Sequence, residues 1–138
     1  MTGTKELYKL LATMSPVLSP NHYVFYTFPQ SEDKELLVKP LMMFQEDEGT
    51  TGIIKKEDAD VNGLSYSSVW SLITLNVHSD LEAVGFLAHI TDRLAKAAIS
   101  VNVVSAYYHD HLFVPVNKAR DAVDLLVALE KDSLNDHG

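Results

Sequence analysis

Apolar residues recur at helical spacing in three stretches of the chain. Leu7, Leu10, Leu11 and Met14 predict a short helix that Pro16 ends. Leu81, Val84, Leu87, Ile90, Leu94 and Ala97 form a second stripe. Glu82, His89, Asp92, Arg93 and Lys96 lie off it, and Asp92 with Lys96 makes an i,i+4 opposite-charge pair. Ala119, Ala122, Val123, Leu126 and Leu129 form the third, with Asn117 placed to cap it and Arg120 and Asp124 on its wet side. Runs of β-formers stand between these stripes. Trp70–Val77 is a short apolar run, and Val101–Tyr108 and Leu112–Val116 flank a polar break at His109-Asp110-His111, which predicts a strand and a hairpin. Pro115 cannot donate to a ladder and belongs at an edge or a strand end. In the first half, His22–Phe28 reads as a strand stopped by Pro29, followed by a charged loop from Gln30 to Glu35. Leu41–Gln45 and Thr51–Ile54 flank the acidic turn Glu46-Asp47-Glu48-Gly49 as a second hairpin, and Glu57–Asn62 is a brief helix ended by Gly63. The polar tail from Asp132 to Gly138 is expected to fray.

The second half therefore runs strand, helix, strand, strand, helix. This is the ferredoxin-like βαββαβ order without its last strand, an α+β arrangement. Too little chain follows the last helix to supply the strand, so one from the first half, His22–Phe28, is expected to complete the sheet. The first half repeats part of the pattern, with Thr51–Leu64 loosely paralleling Leu112–Leu126, which points to an internal duplication. The expected boundaries are 1–65 for the first half and 66–138 for the second.

Composition narrows the possibilities. At 138 residues, with 46% hydrophobic and 22% charged residues, the chain has the profile of a folded protein of one ordinary domain or two very small ones. Eleven Lys and Arg against 19 Asp and Glu give a net charge of −8, which disfavours a nucleic-acid binder. No apolar run is long enough for a membrane span, and Met1–Glu6 lacks the apolar core of a signal peptide, so a cytoplasmic location is expected. The absence of cysteine excludes disulfides, thiolate metal sites and thiol catalysis.

Three segments carry a family resemblance: Ser79-Asp80-Leu81-Glu82-Ala83-Val84-Gly85, Leu94–Val104, and His109-Asp110-His111-Leu112-Phe113-Val114-Pro115. With Phe44–Thr51, they resemble the small bacterial tandem ACT-domain proteins, which are similar to the ACT pairs of aspartate kinases and of eukaryotic arginine sensors. The resemblance implies two side-by-side ACT-like modules and a regulatory role in binding an amino acid, without catalysis or a cofactor. It also implies a homodimer or higher homo-oligomer. Carried onto this chain, the ligand positions are Val77, His78, Ser79, Asp80, Leu81, Val84 and Gly85, with Asn102 and Val103 facing them. The chemistry is compatible: an amino-acid carboxylate suits free N–H groups at a helix start. Its ammonium suits Asp80, and Gly85 permits close approach to the first helical turn.

Each of these residues also has a purely structural reading. Ser79 and Glu82 have the spacing of a capping box, and Asp80 in a first turn is stabilised by the helix dipole without any ligand. His109 and His111 could share a metal with Asp110, but no third ligand stands at a recognisable spacing, and a polar turn accounts for them. Tyr107, Tyr108 and Trp70 read as core or interface residues. There is no nucleophile elbow, dinucleotide fingerprint or phosphate loop. The alternatives to an amino-acid sensor are a ligand-free structural or partner-docking oligomerisation module and, third, a small metal enzyme around His109 and His111.

Overall fold

A computed structural model describes residues 2–29, 38–77 and 85–137. Helix α1 (Thr2–Thr13) turns sharply into β1 (Pro16–Pro29), which is 14 residues long. Ser15 makes the corner with a left-handed φ of 43°, and its N–H donates to Glu130 Oε2 at 2.6 Å. The hairpin of β2 (Met42–Gln45) and β3 (Gly49–Lys55) follows, then the short α2 (Lys56–Val61), after which Gly63 turns the chain at φ 66°. The second half consists of β4 (Trp70–Leu75), α3 (Phe86–Lys96), β5 (Asn102–Ser105), β6 (Asp110–Pro115) and α4 (Ala119–His137). A 3₁₀ turn at Val116–Lys118 leads into α4.

All six described strands join one antiparallel sheet in the order β2-β3-β1-β4-β6-β5. The missing last strand of the second half is β1. It pairs with β4 through Pro16–Leu18 and His22–Tyr23, and with β3 through Tyr23–Pro29. The segment that completes the second module thus starts further upstream than the sequence suggests. Its register shifts between Leu18 and His22, where Pro20, which has no N–H to give the ladder, sits in the irregularity. Read outward from the centre, β1-β4-β6-β5 and β4-β1-β3-β2 both have the ferredoxin-like strand order. The protein is two such modules in tandem, with β1 and β4 belonging to both.

The registers make the duplication visible residue by residue. Phe25 faces Ile53 as Leu72 faces Phe113, and Tyr23 and Trp70 face each other at the joint between the modules. Gln45 faces Thr50 and Ser105 faces Asp110, and both hairpin turns close with the same bond, Glu46 N–H to Gly49 O and Ala106 N–H to His109 O. Thr51 therefore corresponds to His111 and not to Leu112, and a one-residue error of this kind exchanges the two faces of a strand.

All described helices lie on one face of the sheet. Under α1, α3 and α4, the residues Leu11, Met14, Ile73, Leu75, Phe86, Ile90, Leu94, Leu112, Val114 and Leu126 form the main core. Under α2, Val24, Ile54 and Ala59 form a smaller one. The polar tail does not fray as expected: α4 continues to His137, with Ser133 buried and its hydroxyl returned to the Leu129 carbonyl at 2.8 Å. The opposite face of the sheet holds a third cluster, Tyr23, Ile53, Leu72 and Phe113, flanked by Phe25, Met42, Trp70 and Val104. No described helix contributes to it.

Candidate functional site

The junction between β4 and α3 is where the sequence places the ligand. β4 ends at Leu75, the Asn76 N–H donates to the Met14 carbonyl at 2.6 Å, and Val77 packs against the main core. His78, Ser79, Asp80, Leu81 and Val84, with Glu82 of the expected capping box, lie outside the described residues. On the far side of the junction two expectations change. Helix α3 begins at Phe86, not near Ser79, and its N-cap is Gly85 with φ 89° and no side-chain capping bond. Gly85 therefore does not occupy a first helical turn. Its left-handed backbone precedes the helix, a conformation that glycine adopts without the steric penalty of a Cβ. Among the described residues, no neighbouring atom lies within 4 Å of where a Cβ would stand. The stripe from Leu87 to Leu94 and the Asp92–Lys96 ion pair, at 3.0 Å, are as expected.

Asn102 and Val103 sit on β5, an edge strand two strands from β4. Asn102 faces Phe113 and Val103 faces Leu112, whereas the end of β4 aligns with Asp110 and Ser105. Two strand spacings and three residues separate Leu75 from Asn102, about 14 Å. Within one chain, the sheet does not bring Asn102 beside the β4–α3 junction. Val103 and Val77 share the main core from its rim.

The hairpin histidines lie elsewhere than the sequence suggests. The turn consists of Ala106 to His109, so Tyr107 and Tyr108 are exposed at its tip, and Asp110 and His111 are strand residues. Strand alternation turns Asp110 inward, where it is buried, and His111 onto the helix-free face. His111 Nδ1 lies 3.0 Å from Thr74 Oγ1, and the ring is edge-on to His109 with centroids 6.4 Å apart. Burial, reinforced by the nearby His109 and opposed by Asp110, holds the His111 imidazole below its ordinary pKa. His109 Nδ1 is buried with no hydrogen-bond partner among the described residues. Among the described residues, no three His, Asp or Glu side chains are grouped to hold a metal ion.

Two surface hollows were not foreseen from the sequence. One, of about 440 Å³, lies between α3 and α4, lined by Arg93, Lys96 and Ala97 facing Leu125, Leu129 and Asp132. The other, of about 360 Å³, lies beside the β1 irregularity, between Asn21 and His22 and the start of α2. There Lys56 Nζ and the Tyr66 hydroxyl each donate to the Asp60 carboxylate at 2.6 Å, which lowers the pKa of Asp60 and raises that of Lys56. Neither hollow includes Val77, Gly85, Asn102 or Val103.

Two family models, each described as an ACT domain, match the sequence in tandem, the first over residues 2–71 and the second over 67–128. The chain belongs to the ACT-domain family. ACT domains are generally regulatory modules that bind small ligands, often amino acids. A solved Vibrio cholerae protein of unknown function, described as a possible transport protein, is similar to this ACT-domain chain at 45% identity. The match covers 91% of this chain and 96% of that one, with a TM-score of 0.79. The ligand-free regulatory subunit of aspartate kinase from Thermus thermophilus is similar in fold, at 10% identity over 86% of this chain and 97% of that one, with a TM-score of 0.62. The aspartate kinase of Clostridium acetobutylicum, described as an allosteric enzyme, gives a TM-score of 0.60 at 11% identity, over 85% of this chain and 34% of the enzyme. No curated protein matches the sequence. No described helix of the ACT pair is long and apolar enough to cross a membrane.

Proposed function

We propose that this ACT pair is a non-catalytic regulatory protein that binds an amino acid at the β4–α3 junction and acts as a homo-oligomer in the cytoplasm. The observation that carries this reading is the start of α3. In a chain matched by two ACT models, this helix begins at a left-handed glycine, and among the described residues no atom lies within 4 Å of where its Cβ would stand and no side chain caps the helix. A helix start of that kind keeps backbone N–H groups and the positive end of the helix dipole for a carboxylate. Asp80 would take the ligand's ammonium, with Val77, His78, Ser79, Leu81 and Val84 beside it. Asn102, about 14 Å from Leu75 within one chain, would reach it only from a second copy, whereas Val103 borders the same core as Val77.

Thermal unfolding against the twenty amino acids tests this. A cognate amino acid at a hundred times its Kd should stabilise the protein by about 2.7 kcal/mol, and Asp80→Ala should abolish the shift while preserving the fold. No shift with any of the twenty would favour a ligand-free structural module.

A further inference from the structure

We propose that the helix-free face of the sheet is the contact surface of a homodimer in which two copies stack sheet on sheet. This gives a location to the self-association proposed above and stands or falls separately from ligand binding. No described helix covers this face; its Tyr23, Ile53, Leu72 and Phe113 are buried by their neighbours, and Phe25, Met42, Trp70 and Val104 around them are half-buried. At its centre, Phe25 meets Trp70 and Phe113 edge-to-face at 5.9 and 5.8 Å, and Tyr23 meets Phe113 at 5.9 Å. Strand alternation adds Met42, Phe44, Ile53, Leu72 and Val104 to this side, with Phe44 63% exposed at one end and Val17 51% exposed at the other.

Size and charge both point to a second copy. Six strands about 4.8 Å apart, each several residues long at about 3.3 Å per residue, give a face of roughly 500 Å² in projection. Two such faces together bury about 1,000 Å², the lower bound for a specific interface and the size suited to a dimer of micromolar Kd. The chain carries a net charge of −8, yet the described strand positions on this face hold no carboxylate. Lys55 and His111 are the titratable cations there, too few to read an acidic partner or an anionic surface. Glu46, just past β2, is engaged by the Thr51 hydroxyl. Two copies thus meet here without bringing like charges together, whereas the helical side displays acids such as Asp92, Asp121 and Asp124. The register adds self-complementarity, because Tyr23 and Trp70, Phe25 and Leu72, and Ile53 and Phe113 are equivalent positions of the two modules. The face is nearly symmetric about its own centre, so a two-fold copy meets equivalent rows.

Sedimentation velocity of the full chain, together with the emission of its single tryptophan, Trp70, tests this. At about 10 μM, where a dimer of micromolar Kd is largely assembled, the wild-type chain should sediment as a dimer with blue-shifted emission that moves red on dilution. Phe44→Glu should weaken the dimer at least tenfold. Met43→Glu, one residue along β2 and 53% exposed on the helical side, should leave it intact. Should Phe44→Glu lose its native circular dichroism, Val17→Lys at the opposite end replaces it with the same expected result. A wild-type monomer at every concentration overturns the proposal. So does a dimer that the face variants leave intact, or one that Met43→Glu weakens as much as Phe44→Glu, which would place the contact on the β2 edge.

Discussion

Gly85 and His111 each give a residue-scale prediction. Gly85 holds φ 89°, and no atom of the described residues crowds a Cβ there, so Gly85→Ala should cost the backbone strain, about 1–2 kcal/mol by urea unfolding. His111 has its pKa lowered by burial in the fold. Above an unfolded-state value of about 6.5, both states are neutral and its contribution is intact. As pH falls below that, the unfolded chain takes the proton first, and stability drops until the lower folded pKa is passed. The urea midpoint should therefore fall between pH 7.5 and 5.5, and His111→Gln, which keeps a partner for Thr74, should reduce the fall. At this scale the sequence was partly legible. The type and place of Gly85 signalled a backbone requirement, but spacing could not distinguish a helix interior from its start. The expected Ser79–Glu82 capping box lies outside the described residues. The histidines were read as a turn because Asp favours turns, yet Asp110 is a buried strand residue, and its neighbours follow from pleat alternation.

At the scale of elements, periodicity located the helices and strands well, because each buries one side against something. It missed the continuation of α4 through the polar tail, since α4 packs against α1 and Glu130 accepts from Ser15 at the corner after it, both far away in sequence. Counting strands was more informative than reading any one of them: the absent sixth element of the second half predicted a strand borrowed from the first. It fell short on which part of β1 is borrowed, because the Pro20 irregularity divides the strand between partners. Residues 66–138 expressed alone lack that strand and leave the side of β4 that pairs with β1 bare. The fragment should aggregate or lack cooperative unfolding by circular dichroism and calorimetry. A cooperative monomeric fragment would show that β1 is dispensable to the second module.

On the scale of the whole molecule, two facts that composition left apart come together. Net charge and hydrophobic content were readable at once but unplaced. The sheet separates them, with the described helices on one side and, on the other, an aromatic surface whose described strand positions hold no carboxylate. Both terms are needed for the self-association proposed here, and neither was visible without strand order, because a pleated strand shows which residues share a face only once its partners are known. The candidate ligand junction was reached chiefly through the family likeness. Its chemistry lies in short loop residues whose spacing carries little information, whereas the core is written in repeated apolar positions.

The strands held in common have an evolutionary consequence. In most tandem duplications either copy can be trimmed, lost or moved to another gene, because each retains a complete sheet. Here each half has surrendered a strand position to the other, so deleting one copy would leave the survivor with an open ladder beside β1 or β4. A chain built this way should accept changes in its loops and surfaces more readily than the loss of either repeat. The Tyr23–Trp70 pair at the joint marks where two inheritable units became one.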